Sequence, residues 1–254
     1  MTNLISVIYE DDSLLVLDKP AGLVVDPAET VKSKTLADIL QKDFGIKLLR
    51  GGIVHRLDKD TSGLILAAKT QDALENLQSQ FKERVVRKEY LALAHGFITE
   101  GGIIDAAIAR NPENREKFIV MEGEEAREAV TEYEPLERLQ FTGDRLQEVF
   151  FGFNKIQFKK LSTTHYNLFT FLRCKPKTGR THQIRVHLKY IGNPVVADER
   201  YAGRKTYRLD KRWCPRQFLH AAKISFKHPK SGEWMEFESG LPEDLKKALS
   251  YLSS

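Results

Sequence analysis

Cysteine is almost missing from this chain, and its scarcity removes two classes of protein at once. Only Cys174 and Cys214 occur in 254 residues. With no Cys-x-x-Cys pair, neither a disulfide framework nor a zinc knuckle is indicated, and both thiols are expected reduced. Long apolar runs are also absent. The longest, Leu64–Ala68 and Tyr90–Ala94, have five residues each, against the roughly 20 that a helix needs to cross a bilayer. Met1-Thr2-Asn3-Leu4-Ile5 carries no basic lead and meets Glu10-Asp11-Asp12 before any apolar stretch, unlike a secretory leader. The expected location is the cytoplasm, with no membrane span. No internal repeat, heptad or low-complexity tract is present. With 41% hydrophobic and 30% charged residues, the composition is that of a globular protein able to bury a sizeable core.

Charge is unevenly spread. Lys+Arg 40 minus Asp+Glu 35 gives only +5. Between Arg173 and Arg216, however, 13 Lys/Arg face only Asp198, Glu199 and Asp210, a local +10 that leaves the other 210 residues at −5. Between Glu100 and Glu148 the balance reverses, with 13 acidic residues against 6 basic. One region therefore favours a polyanion and another repels it.

Alternation predicts an opening hairpin, Ile5–Tyr9 against Leu14–Leu17, followed by a tight Lys19-Pro20-Ala21-Gly22 turn. Thr35 caps a short surface helix bearing Leu36, Ile39, Leu40 and Phe44 and closed by Gly45; a second helix covers Gln71–Glu83. Lys88–Ile98 reads as a largely buried strand around Tyr90–Ala94. Phe141–Thr164 has no clear period and reads as an insertion (141–163). A hairpin, Ala222–Phe226 with Trp234–Phe237, precedes a helix begun near Pro242. Strands and helices interleave without a βαβ rhythm, so the class is α+β.

Two segments concentrate chemistry. His55-Arg56-Leu57-Asp58-Lys59-Asp60-Thr61-Ser62-Gly63 gathers charges directly before the apolar run at Leu64. Three readings are open: Asp58, ionised beside cations, as nucleophile or base; His55, Asp58 and Asp60 as metal ligands; or a solvated turn. In Lys177–Leu188, Thr181 is a candidate N-cap, and Ile184, His187, Leu188 and Ile191 fall on one helical face. Arg180 and Arg185 flank that N-terminus, where backbone donors favour an anion; the plain alternative is a basic surface helix, with His187 in the core. Tyr190, Tyr201, Tyr207 and Trp213 lie among the cations of the basic stretch, and rings with cations are the ingredients of RNA recognition.

The His55–Gly63 segment resembles the signature of the RluA-type pseudouridine synthases. Lys19-Pro20-Ala21-Gly22 is similar to that family's first motif, Arg87-Lys88-Glu89-Tyr90 to its tyrosine motif, Thr178–His187 to its basic motif, and Arg216-Gln217-Phe218-Leu219-His220-Ala221 to its late motif, in the same order. The resemblance covers nearly the whole chain outside about 141–163. It implies an isomerase that converts uridine in ribosomal RNA, transfer RNA or both to pseudouridine, with no metal and no organic cofactor; from its size alone, the enzyme is expected to work as a monomer. By the match Asp58 is the catalytic carboxylate, Tyr90 covers the base, and Arg185 pairs with Asp58 and keeps it ionised. Arg56 displaces the target nucleotide and occupies the vacated stack. His55 and Arg180 join it in substrate binding; Leu188, one turn beyond Ile184 on the motif helix, either lines the pocket or packs in the core.

The resemblance further implies a single catalytic domain over 1–254, on a mixed, mostly antiparallel sheet with flanking helices, with its cleft lined by the Asp58 loop and the Arg180–Arg185 helix start. Two departures stand out. Asp26-Pro27 replaces the His-Pro that often follows the first motif, and that motif begins within twenty residues of Met1, so no separate N-terminal RNA-binding domain is expected. The rival readings are a non-catalytic RNA-binding or ribosome-assembly protein on the same fold and a metal-dependent phosphodiesterase using His55, Asp58 and Asp60.

Overall fold

The computed structural model of the chain describes residues 5–26, 34–163 and 165–253; Met1–Leu4 of the N-terminal stretch, Pro27 of the Asp26-Pro27 departure and Thr164 at the end of the 141–164 stretch lie outside them. In chain order the described residues form β1 (Ser6–Glu10), β2 (Leu14–Lys19), α1 (Leu36–Asp43), β3 (Ser62–Ala68), α2 (Gln71–Lys82), β4 (Arg87–His95), β5 (Gly102–Asp105), β6 (Ile108–Arg110), β7 (Phe118–Val120), β8 (Val130–Phe141), α3 (Gly143–Val149), α4 (Lys155–Thr163), β9 (Leu168–Pro176), α5 (Gln183–Tyr190), α6 (Arg204–Asp210), β10 (Leu219–Lys227), β11 (Trp234–Glu238), α7 (Glu243–Leu249) and β12 (Leu252–Ser253). Contacts group them into two compact units, Met1–Glu89 with His220–Gly240 and Tyr90–Leu219 with Leu241–Ser254.

In the first unit the expected hairpin pairs β1 with β2, and β2 pairs antiparallel with β3 from Leu14↔Ala68 to Lys19↔Gly63. Strand β3 pairs in parallel with β10, at His220↔Ser62 and Ala221↔Gly63, and β11 returns antiparallel on β10. All seven residues of β3 are buried, which is why it reads as an unbroken apolar run rather than an alternation. Leu14, Val16, Leu64 and Leu66 pack with Leu74 and Leu77 of α2 and with Ile224 and Phe226 of β10. Gly63 is obligatory: its φ is +110°, and a Cβ there would stand 2.2 Å from the Ala221 carbonyl oxygen. Helix α1 carries the expected cap, completed into a reciprocal capping box with Asp38. As expected of a short surface helix, it buries its apolar face, Leu36, Ala37, Ile39 and Leu40, and exposes Gln41, Lys42 and Asp43.

In the second unit β4, β9 and β8 form an antiparallel run, with β8 also pairing β5 and β12, and β6 and β7 make a separate two-stranded sheet. The α+β class and its mixed, mostly antiparallel pairing are as expected. The 141–163 stretch is not an excursion away from the fold. Phe141, Leu146, Phe150 and Leu161 are buried in this unit's main cluster beside Phe169 and Trp213. Its helices have 7 and 9 residues, too short for a 3.6-residue period to show. Two of the four aromatics expected to meet RNA are likewise core residues: Tyr201 and Trp213 are buried, while Tyr190 is 61% exposed. No helix among the described residues is long and apolar enough to cross a membrane.

Candidate active site

Each unit holds part of the expected set. The first carries His55, Arg56 and Asp58 on the loop that feeds β3. The Thr61 N–H donates to the Asp58 carbonyl at 3.1 Å and closes a turn over Lys59 and Asp60, leaving Asp58 half-buried between the buried Leu57 and the exposed Lys59. Lys19 holds this turn from behind. It is fully buried, and its ammonium donates to the carbonyls of Pro20, Leu23 and Lys59 at 2.8, 2.9 and 3.0 Å. The Gly22 N–H reaches the same Lys59 carbonyl at 2.9 Å. The first motif is thus a clamp on the Asp58 loop, a role that sequence reasoning missed; a lysine ending a strand that opens with the apolar run Leu14–Leu17, directly before a Pro-Ala-Gly turn, was the available signal. Asp26 forms an ion pair with Arg50 at 2.5 Å.

His55 is placed otherwise than expected. Its Nε2 accepts the Leu66 N–H at 3.1 Å and its ring stacks on Phe81 at 4.7 Å. Burial, reinforced by the Lys88 ammonium, pushes its pKa down to about 3. A neutral imidazole spent on a backbone amide ties the loop to β3, and its Nε2 lone pair is not offered to RNA or to a metal. Among the described residues no three His, Cys, Asp or Glu side chains gather as a metal site. Beyond Asp58, Ser62 pairs with His220 Nδ1 at 3.0 Å, and His220 donates from Nε2 to the Ser239 carbonyl at 3.0 Å; the carbonyl fixes the tautomer. Arg56 is exposed.

The second unit carries Tyr90, Arg180, Arg185 and Leu188. Tyr90 lies on β4 opposite Cys174 of β9 and packs, half-buried, on the main cluster. Helix α5 begins later than expected: its N-cap is His182, left-handed at φ 57° and without a side-chain cap bond, not Thr181. The segment is organised by Gln183 instead. Its Oε1 accepts from the Thr178 hydroxyl at 2.7 Å and the Arg180 N–H at 2.9 Å, while its Nε2 donates to the Val130 carbonyl and Thr131 Oγ1, each at 3.0 Å. Arg180 donates from Nε to the Glu128 carbonyl at 3.0 Å.

Arg185 is buried on α5 and grips Asp198 bidentately, Nε to Oδ2 at 2.6 Å and Nη2 to Oδ1 at 2.8 Å. His187 is the expected core histidine, bonded to Thr131 Oγ1 and the Ala106 carbonyl. Leu188 has no exposed surface and packs in the main cluster with Ile184, so packing is what it contributes here. Both cysteines are free and buried, and burial pushes each thiol up to about 12.

Comparison with known proteins matches this arrangement to one family. The RNA pseudouridylate synthase family profile aligns with residues 13–190. The chain is 40% identical to the ribosomal large subunit pseudouridine synthase D of Pseudomonas aeruginosa, over 98% of this chain and 72% of that protein. It is 38% identical to the uncharacterized RNA pseudouridine synthase YlyB of Bacillus subtilis, over 98% and 73%. Among solved structures it resembles human RNA Pseudouridylate Synthase Domain Containing 1, with a TM-score of 0.69 and 28% identity over 94% of this chain and 84% of that one. The clamped aspartate loop, the tyrosine strand and the arginine helix therefore belong to a chain of the RNA pseudouridylate synthase family, of the RluA type, an isomerase acting on RNA.

Proposed function

We propose that this protein isomerises specific uridines of ribosomal RNA, with Asp58 as the catalytic carboxylate. The observation that supports this most is the Asp58 turn: a half-buried carboxylate in the family's signature segment, braced by a fully buried lysine through three carbonyls. Such bracing suits a group whose position matters more than its solvation. In the reaction the C–N glycosidic bond breaks, the base turns, a C–C bond forms at the same sugar carbon, and the proton displaced from the base carbon leaves as the ring nitrogen regains one. Asp58 acts at the sugar, as attacking carboxylate or by assisting cleavage. Tyr90 covers the base and takes the displaced proton. Arg185 is the cationic member of the proposed catalytic set. Arg56, exposed on the same loop, fills the stack that the extruded nucleotide leaves. The enzyme acts in the cytoplasm as a monomer, as one catalytic domain.

The relatives named for the large ribosomal subunit direct the substrate reading to that RNA. The test is a pseudouridine map of cellular RNA from cells lacking the protein, restored with wild type, and restored with Asp58→Ala. Sites that vanish without the protein and return only with wild type are expected, in large-subunit RNA. Sites restored by Asp58→Ala would make the protein an RNA binder whose carboxylate does no chemistry.

A further inference from the structure

Arg185 is held in its own unit with more restraint than a basic helix residue needs, and we propose that Asp198 and Tyr201 are its positioning residues, setting the plane and rotation of the guanidinium for the isomerisation. This rests on the reading of Arg185 as a catalytic group.

Asp198 has no exposed surface, and the Arg185 side chain is 5% exposed. Their bidentate contact takes one edge of the guanidinium fork and fixes its rotation within the plane. The Tyr201 ring lies over the guanidinium at 5.1 Å and fixes the plane itself. The Tyr201 hydroxyl is held in turn, accepting the Phe118 N–H at 3.0 Å and pairing with His182 Nδ1 at 2.9 Å. Asp198 is aimed by its own turn: its Oδ1 also accepts the N–H groups of Arg200 and Tyr201 at 3.0 and 3.1 Å.

The residue before it, Ala197, is left-handed at φ 55°, a conformation that costs a non-glycine residue energy and persists only where the surroundings enforce it. A second buried carboxylate enforces it. Asp210 Oδ2 accepts the Ala197 N–H at 2.8 Å and bonds His95 Nε2 at 2.9 Å, and its Oδ1 accepts the Tyr166 hydroxyl at 2.9 Å. An enforced bend, a saturated carboxylate and an overlying ring converge on one guanidinium. An arrangement kept only for stability has no need of the ring or the bend, since buried ion pairs are weak stabilisers beside apolar packing of equal volume.

The test is a double-mutant cycle read as single-turnover isomerisation of an RNA fragment carrying the target uridine, with RNA affinity and thermal unfolding measured for each variant. Asp198→Asn is expected to slow the step on the order of 100-fold, as displacement of a catalytic group by about an ångström does, with RNA affinity within about threefold of wild type. Asp198→Glu, which keeps the carboxylate, recovers part of the loss. In an Arg185→Lys background Asp198→Asn adds little, because it acts through a guanidinium already gone. Losses that multiply, or a full rate for Asp198→Asn, overturn the proposal. A full rate for Arg185→Lys fails the reading of Arg185 instead, so the two failures are distinct. Should Asp198→Asn be unfolded at the assay temperature, Tyr201→Leu is put through the same cycle and decides by the same criterion.

Discussion

Lys19 and His55 are ionisable residues used as framework, and both have measurable consequences. Lys19 supplies three carbonyls with their donor from a fully buried position. Lys19→Met fills the same space and leaves those acceptors without it; a buried polar group left unsatisfied costs about 1–3 kcal/mol. A lower urea midpoint is expected, together with a fall in isomerisation rate larger than the stability loss explains, because the Asp58 turn loosens. Unchanged midpoint and rate would remove the clamp from the account. His55 has its pKa pushed down to about 3 by burial and by Lys88, below the roughly 6.5 of an unfolded chain. A depressed folded-state pKa means that the unfolded chain binds the proton first. Its contribution is therefore complete above about pH 6.5 and is lost as pH falls from there toward 3, at a slope of up to about 1.4 kcal/mol per pH unit. His55→Gln keeps an acceptor for Leu66 N–H and removes the titration, so its stability should fall less steeply between pH 6.5 and 4.5. Parallel pH profiles for variant and wild type would contradict that assignment.

At the scale of elements, the 141–163 stretch gives the sharpest expectation. Phe150 is fully buried and meets Phe141 and Tyr166 edge-on, so Phe150→Ala should cost about 3–5 kcal/mol in denaturant unfolding. The adjacent Phe151, 84% exposed, should cost under about 0.5 kcal/mol on the same change. Equal effects would mean that the two helices are appended rather than built in. This contrast also marks what is legible in the sequence. The hairpins, α2 and the buried β3 are readable because a period of two, a run of apolar residues or a Thr cap is local information. The Asp58 loop and the arginine helix are readable as motifs of residue types. The Lys19 clamp, the Gln183 brace at the start of α5 and the Asp198 partner of Arg185 are not, because each joins atoms whose neighbourhood is decided by tertiary folding. Tyr201 and Trp213 look like base-stacking rings for the same reason: composition places them among cations, and only packing shows them inside.

At the scale of the whole molecule, charge sets the partner. Within the basic stretch Asp198 and Asp210 are buried and only Glu199 of its three acids is exposed, so the surface there is more cationic than the sequence sum. RNA affinity should fall steeply with salt, by about 10³-fold between 50 and 200 mM if six or so phosphates are contacted. Reversing exposed Arg204, Lys205 and Arg208 on α6 to glutamate should flatten that slope. A salt response already flat in wild type would place the RNA contacts elsewhere.

The parallel pairing of β3 with β10 also sets a clock for the chain's own birth. Ser62 and His220, bonded at 3.0 Å, are 158 residues apart. Ribosomes add about 5–20 residues per second, so β3 waits roughly 8 to 30 seconds for its partner. For that interval the nascent chain carries an apolar strand with one edge unpaired, the kind of edge that recruits strands from other chains. Unit one cannot close until its second segment, His220–Gly240, has been made. This protein is therefore most exposed to aggregation while still being synthesised, and a slowed ribosome lengthens that exposure in direct proportion.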